Sequence, residues 1–471
     1  MARCVASAEI SQHMTNTPPS RSTPLEELLD RVQRTTIAYF WEGAHPVSGL
    51  AYDRRLTWGD ARNDLVSISG SGFSFLAIIV AVSRGWIDRG QAMERMLLTV
   101  AFLKDVPRFH GAFPHFINGS TGEVVPFSHR DDGGDLVETA LLLQGLICAR
   151  QYFDGEAPGE RPLRILIQEL VDEVERCWYA PEPSRPLYWH WSPKHQWKMA
   201  LPITGWNEGL LAYILAAGAG RHAIDDNVFH HGWAGNGTLR NGNGYYGHIL
   251  PVGRPFGGPL FLAHSSFCGL DPSRMRDRYC DYWEQNVAHA SIHHAHAVAN
   301  PHQHAGYGAA CWGLTSSHGP RKYIASAPDN DRGIIAPTAA LSSFPYLPEA
   351  AEAALRYYLV AADGRLWGRY GFVDAFAANG RWISKSYLAV NQGPIVAMIE
   401  NHRSGLLWNL FMDAPEIKLG LETLEITCSK KPNGIDGSSC DQQGVPHAAT
   451  AGKGFLPNQS QHGACDRISL K

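Results

Sequence analysis

Four stretches of this chain leave a helix no polar face: Phe73 to Val82, Thr139 to Cys148, Leu210 to Leu215, and the run from Pro394 up to Glu400. A helix that is apolar all round must be buried all round. None of these runs approaches the roughly 20 apolar residues that a bilayer span needs. They therefore have to be covered by other parts of the chain. Between them lie segments that are polar on one side, such as Gly90 to Asp105. The pattern predicts about a dozen helices, apolar ones alternating with amphipathic ones. Inner helices wrapped by outer ones are the architecture of an all-α (α/α)6 barrel, a toroid with long aromatic loops and short β-hairpins, and that is the expected fold class.

Local signals place the elements. Ser22-Thr23-Pro24 opens the first helix, with Glu26 and Glu27 in its first turn. Further helices are expected at 135–152, 162–178, 205–217, 259–268, 274–290, 337–343, 347–361 and 392–404. Phe116-Ile-Asn118-Gly119 against Glu123-Val-Val reads as a hairpin, because Asn-Gly is a turn signal. A second hairpin is expected between Tyr188–Trp191 and Gln196–Lys198. Residues 1–21 and 418–471 are polar and aperiodic, so both read as disordered tails flanking one catalytic domain at 22–417.

Composition excludes several classes. A formal charge of −4 lacks the basic face that nucleic acid requires. The nine cysteines are scattered without a Cys-x-x-Cys, so neither a disulfide framework nor a zinc site is expected. No cofactor and no metal are expected. The start lacks the apolar core of a signal peptide. The chain as written reads as cytoplasmic and without a membrane partner; a periplasmic or secreted location stays open if the true start lies elsewhere. The expected partner is an oligo- or polysaccharide. The 14 Trp, 17 Tyr and 18 Phe include many beside Gly, Pro or His, a placement suited to flat sugar rings as well as to core packing.

Ser128 to Glu138 gathers Asp131, Asp132, Asp135 and Glu138 at the mouth of an apolar helix. Asp135 and Glu138 are three apart and share a helix face. The same Asp-x-x-Glu is also a capping pattern, with Asp135 as N-cap and Glu138 reaching back. Glu208, in Gly205-Trp206-Asn207-Glu208, heads another apolar helix, with Thr204 as its expected cap. Desolvation there would raise its pKa, as a general acid requires. If the inner helices start at one end of the fold, these carboxylates face one cavity, and two opposed carboxylates are the apparatus of glycoside hydrolysis. Asp374 lies in an aromatic loop and could be catalytic or hold a turn. Asn391 reads as the N-cap of the last apolar helix. The histidines at 289, 293, 294, 296, 302 and 304 lack a metalloprotease pattern and read as structure or sugar hydrogen bonding.

Taken in order, these blocks resemble the bacterial glucoamylase-like domain family, and within it glycoside hydrolase family 144, the endo-β-1,2-glucanases. The resemblance rests on Ser69-Gly-Ser-Gly-Phe73, Phe113-Pro-His-Phe116, Asp131 to Glu138, Gly205-Trp-Asn-Glu208, Pro259 to His264, Tyr307 to Thr315, Ala336 to Ala340, Tyr370 to Phe376 and Gln392-Gly-Pro to Trp408. It implies an inverting β-1,2-glucanase with Asp131, Asp135, Glu138 and Glu208 as cleft acids, Glu208 being the general acid. The base is open among Asp135, Asp131, Glu138 and Asp374. Trp206, Trp41, Trp312 and Tyr370 flank these blocks and are expected either to stack on sugars or to pack in the core, and His115, Arg130, Asp374 and Asn391 are expected to contact substrate. The family pattern implies an Asp before Gln-Gly-Pro, where this chain has Asn391, and Asn cannot act as a base. The alternatives are a transglycosylase or exo-acting enzyme on the same glucan, a weakly active or non-catalytic glucan-binding protein, and, less favoured, a polysaccharide lyase.

Overall fold

The computed structural model describes residues 17–59, 63–181 and 185–428. Most of the two expected tails lies outside these residues. The ordered chain nevertheless runs past 417, through a last helix and a strand that ends at Cys428.

Twelve helices are present among the described residues: α1 Leu25–Trp41, α2 Ile68–Ser83, α3 Arg89–Asp105, α4 Leu136–Tyr152, α5 Glu160–Asp172, α6 Leu210–Ala217, α7 Tyr282–Ala299, α8 Pro337–Leu341, α9 Pro348–Tyr358, α10 Ala389–Arg403, α11 Leu406–Met412 and α12 Pro415–Thr423. They form two layers. In one, α6 packs on α4, α4 on α2, α2 on α10 and α10 on α8. Around it, α12 covers α6, α5 covers α4, α3 and α1 cover α2, and α9 covers α8. The apolar runs fall in the first layer, and every side chain of α6 is buried. Helices α2 and α4 cross where both carry glycine. A Cβ at Gly72 would overlap the Leu141 carbonyl, and one at Gly145 would overlap the Gly72 carbonyl. Among the described residues no helix is long and apolar enough to cross a membrane.

Several boundaries differ from expectation for identifiable reasons. Residues 259–268 form only short 3-10 turns, Leu260–Ala263 and Ser266–Cys268. Helix α7 starts at Tyr282 rather than 274, because Asp281 caps it and Met275–Arg276 pairs with Thr427–Cys428. Helix α10 starts two residues before Asn391, since the Ala389 N–H already donates to the Asp53 carbonyl at 3.1 Å. Asn391 is therefore not its N-cap. Helix α6 starts at Leu210, and Asn207 Oδ1, not Thr204, accepts from the Gly209 N–H at 2.8 Å. The first hairpin forms, Phe116–Asn118 pairing with Val124–Val125. The second closes between Ser192 and Gln196, with Tyr188 bridging Pro202, and His190–Trp191 also pairs with Gly134–Asp135, immediately before α4.

These short strands fix one end of the fold. Leu65–Ser67 runs into α2, Gly134–Asp135 into α4, and Ser386–Leu388 into α10. Arg54–Leu56 pairs with Ser386–Leu388, and Leu65–Ser67 with Phe116–Asn118. The N-termini of the buried helices are thus tied to the hairpins that carry the polar residues.

Candidate active site

Asp135 caps α4: its Oδ1 accepts from the N–H groups of Val137 and Glu138 at 3.0 and 2.9 Å. Its Oδ2 lies 3.1 Å from His115 Nδ1. The capping reading of Asp135 describes its geometry, but Glu138 does not reach back. It reaches across to α2, where its Oε2 accepts from the Ser69 N–H at 2.9 Å. Its Oε1 faces His115 Nε2 at 3.8 Å. One imidazole therefore stands between two carboxylates. Burial alone would lower His115, but Glu138 and the hydrogen bond to Asp135 outweigh it and push it up to about 10. At neutral pH it is a cation. Burial raises the Glu138 carboxyl, and His115 opposes that rise.

Asp131 is buried beside this pair. Its Oδ1 lies 3.2 Å from Nε2 of His190, the nitrogen that accepts from the Gly133 N–H. Burial, then the charge on Asp135, pushes Asp131 up to about 7. His115, Asp131 and Asp135 each bring one donor atom within 4.8 Å of the others, but the Asp135 oxygens are already engaged by the helix N–H groups and His115. Arg130 is exposed on the preceding turn.

Glu208 sits in the turn ahead of α6, and its main-chain carbonyl accepts from Ser266 Oγ at 2.8 Å. Burial pushes its carboxyl up to about 7, and the charges of Glu138 and Asp135 add to the rise. On the α10 side, Asp374 Oδ2 accepts from the His318 N–H at 2.7 Å and lies 2.9 Å from its Nδ1. Asp374 Oδ1 accepts from Asn391 Nδ2 at 2.7 Å, and that amide also donates to the Ser316 carbonyl at 3.1 Å. Tyr323, on the strand paired with Ser316–His318, has its phenol raised by burial, then by Asp374, Asp53 and Glu208. It links the two groups of acids.

The structure brings together His115, Asp131, Asp135 and Glu138, and separately Asp374, Asn391 and His318; the charges of Glu138 and Asp135 reach Glu208. It does not bring the four aromatics to a sugar. Trp41 is 7% exposed, Trp206 8%, Trp312 0% and Tyr370 1%, which leaves no ring face free. Trp206 packs among Trp233, Phe267 and Tyr282. Trp312 donates its Nε1–H to the Ala350 carbonyl, Tyr370 meets Tyr39 and Tyr387 edge-on, and the Arg95 guanidinium covers Trp41. The histidine-rich segment is structural: His289 and His293 both hydrogen-bond the Gly258 carbonyl through Nε2, at 2.9 and 2.8 Å. Burial pushes His289 down to about 4. His296 joins Asp331 to Tyr246.

Asp53, His190, His318 and Tyr323 were not singled out by sequence. His190 and Tyr323 arrive through strand pairings that no local pattern encodes. Asp53 follows an unremarkable loop, and its only signal is a carboxylate next to an apolar Gly-Leu-Ala-Tyr.

The family model described as "Putative glucoamylase" matches residues 200–415. An endo-β-1,2-glucanase from Chitinophaga pinensis, solved with sophorotriose and glucose, is 44% identical with a TM-score of 0.84, over 86% of this chain and 99% of that one. The chain belongs to the glucoamylase-like family. A β-1,2-glucanase structure from Parabacteroides distasonis is 41% identical with a TM-score of 0.82, over 87% of this chain and 60% of that one. A curated relative from the same species, an exo β-1,2-glucooligosaccharide sophorohydrolase acting at the non-reducing end, is 42% identical over 421 residues, 85% of this chain. This chain spans 58% of that relative's length.

Proposed function

We propose that this chain hydrolyses β-1,2-linked glucan with inversion at the anomeric carbon, on an (α/α)6 barrel built from the two helix layers. The observation that carries the proposal is Glu208. It is a half-buried carboxyl held near neutrality, in a chain whose relatives include an endo-β-1,2-glucanase and a β-1,2-glucooligosaccharide sophorohydrolase. A protonated carboxyl at neutral pH is what donation to a departing sugar oxygen requires. Asp135 and Asp374 are unsuited to activating water, because their oxygens already hold N–H groups and histidines. They position His115, His318 and Asn391. The Asn391 amide serves the same framework and does not argue for loss of catalysis.

The test is incubation with linear β-1,2-glucan, with β-1,3- and β-1,4-glucans as controls, followed by product sizing and NMR of the first-formed anomer. Release of short oligosaccharides with an α reducing end is expected from the β-1,2 polymer alone. Sophorose released one unit at a time would make the action exo, and products longer than the substrate would make it transglycosylation. No release, with binding retained, would overturn the hydrolase reading.

A further inference from the structure

Asp53 is held firmly by its main chain and left alone by its side chain. Its N–H donates to the Leu65 carbonyl at 3.1 Å, and its own carbonyl accepts from the Ala389 N–H at 3.1 Å. Tyr52 before it bridges to Val66, and Arg54 after it pairs with Leu388. The residue is thus wedged between the strands that lead into α2 and α10. Among the described residues no group hydrogen-bonds its carboxylate, although the residue is mostly buried.

The charges around it come from every side of the site. Arg54 is its neighbour in the chain, His115 faces it from the α4 group, His318 and Asp374 from the α10 group, and Tyr39 from α1. Burial raises its carboxyl, and Arg54, His115 and His318 pull it back. Tyr323, on the strand paired with Ser316–His318, feels both Asp53 and Glu208.

We propose that Asp53 is the general base that activates the attacking water. This rests on the glucan-hydrolase reading above. In the step, the water oxygen bonds to the anomeric carbon as one of its protons passes to the Asp53 carboxylate. The bond from that carbon to the bridging oxygen breaks, and Glu208 gives its proton to that oxygen, which leaves as the 2-hydroxyl of the next glucose. An inverting enzyme needs a second carboxylate that takes a proton from water on the face of the ring away from the acid. Asp53 has no hydrogen-bond partner on its carboxylate among the described residues, unlike Asp135 and Asp374, and it sits at the strands that lead into α2 and α10, beside the acids of the site.

The experiment compares the parent with Asp53→Asn and Asp53→Ala on linear β-1,2-glucan, with and without sodium azide. Asp53→Asn is nearly isosteric, so its folding can be matched to the parent by circular dichroism. Loss of a general base predicts a fall in kcat of about 10²- to 10⁴-fold with little change in KM. The acid limb of the pH–rate profile should vanish in Asp53→Asn. Azide should restore turnover of Asp53→Ala and yield an α-glycosyl azide. A parent that releases nothing overturns the hydrolase reading and this assignment together. An active parent with an Asp53→Asn variant within about fivefold of it overturns the assignment alone, since a true base contributes at least 100-fold. A large loss that keeps the acid limb and gives no azide product makes Asp53 structural and also overturns it.

Discussion

Replacing Glu208 with Gln removes a charge and little else, so rate and stability should move in opposite directions. Holding this carboxyl at about 7 instead of its ordinary 4.5 costs the ionised form up to about 3 kcal/mol. The sign follows from proton binding. The folded state binds the proton more tightly than the unfolded state, so the parent loses stability as pH rises from 4.5 through 7. Gln carries no such charge. Glu208→Gln should match the parent near pH 4 and exceed it at pH 8, by up to roughly 3 kcal/mol. Hydrolysis should fall by about 10²- to 10⁴-fold, since the departing oxygen has lost its proton donor. Denaturation at the two pH values, beside reducing-end release from β-1,2-glucan, checks both. An undiminished rate removes the acid assignment. A stability difference that does not change with pH means that Glu208 is not ionising in a desolvated site.

Substitutions at three further positions probe the frame. Asp135→Ala should lose the α4 cap together with the charge beside His115 and cost more than the roughly 0.5–2 kcal/mol of a cap alone, whereas Asp135→Asn keeps the capping acceptor and loses only the charge; melting temperatures separate them. His115 sits at about 10 in the fold against an ordinary 6.5. Its contribution to stability is complete below 6.5 and is lost as pH rises through 10. His115→Gln should flatten that alkaline loss in denaturation curves and lower activity, because Glu138 and Asp135 lose their shared cation. Gly72→Ala should prevent close packing of α2 on α4. Its Cβ would meet main chain, which cannot swing aside, and overpacking of this kind typically costs about 1–3 kcal/mol or more; soluble yield and melting temperature read it.

What the sequence made legible was set by local chemistry. Helix α4 and its cap follow from Asp135, Glu138 and the apolar run behind them, and α2 follows from Phe73 to Val82. The environment of Glu208 was legible because a carboxylate beside Trp206 and a wholly apolar helix has little water to turn to. The failures are long-range. Glu138 bonds Ser69, some seventy residues away in the chain, instead of its own helix end. His190 reaches Asp131 because residues 190–191, within a local hairpin, also pair with 134–135 far back in the chain. Asn391 looked like a cap because Asn before an apolar run commonly is one, yet a tertiary hydrogen bond from Ala389 to Asp53 begins the helix earlier. Burial was the hardest property to read. Trp206 and Trp312 flank site segments in the chain, but their side chains turn into the core.

Two carboxyls in this site sit at about 7, Glu208 and Asp131, and only one can be the acid of a single step. Their surroundings separate them. The Asp131 carboxyl is opposed by His115, which pulls it back down, and its oxygen lies 3.2 Å from Nε2 of His190, whose one lone pair already takes the Gly133 N–H. No cation is among the main influences on Glu208, whose carboxyl is raised by burial and then by the negative charges of Glu138 and Asp135. Asp135 accepts from two N–H groups and Glu138 from one, and the charges of both act on Glu208. Titrating Asp131→Asn and Asp135→Asn distinguishes the roles. Neutralising Asp135 should lower the upper limb of the pH–rate profile by relaxing Glu208. Neutralising Asp131, whose charge is not among the main influences on Glu208, should leave that limb in place. A limb that moves only with Asp131 would transfer the acid role to it.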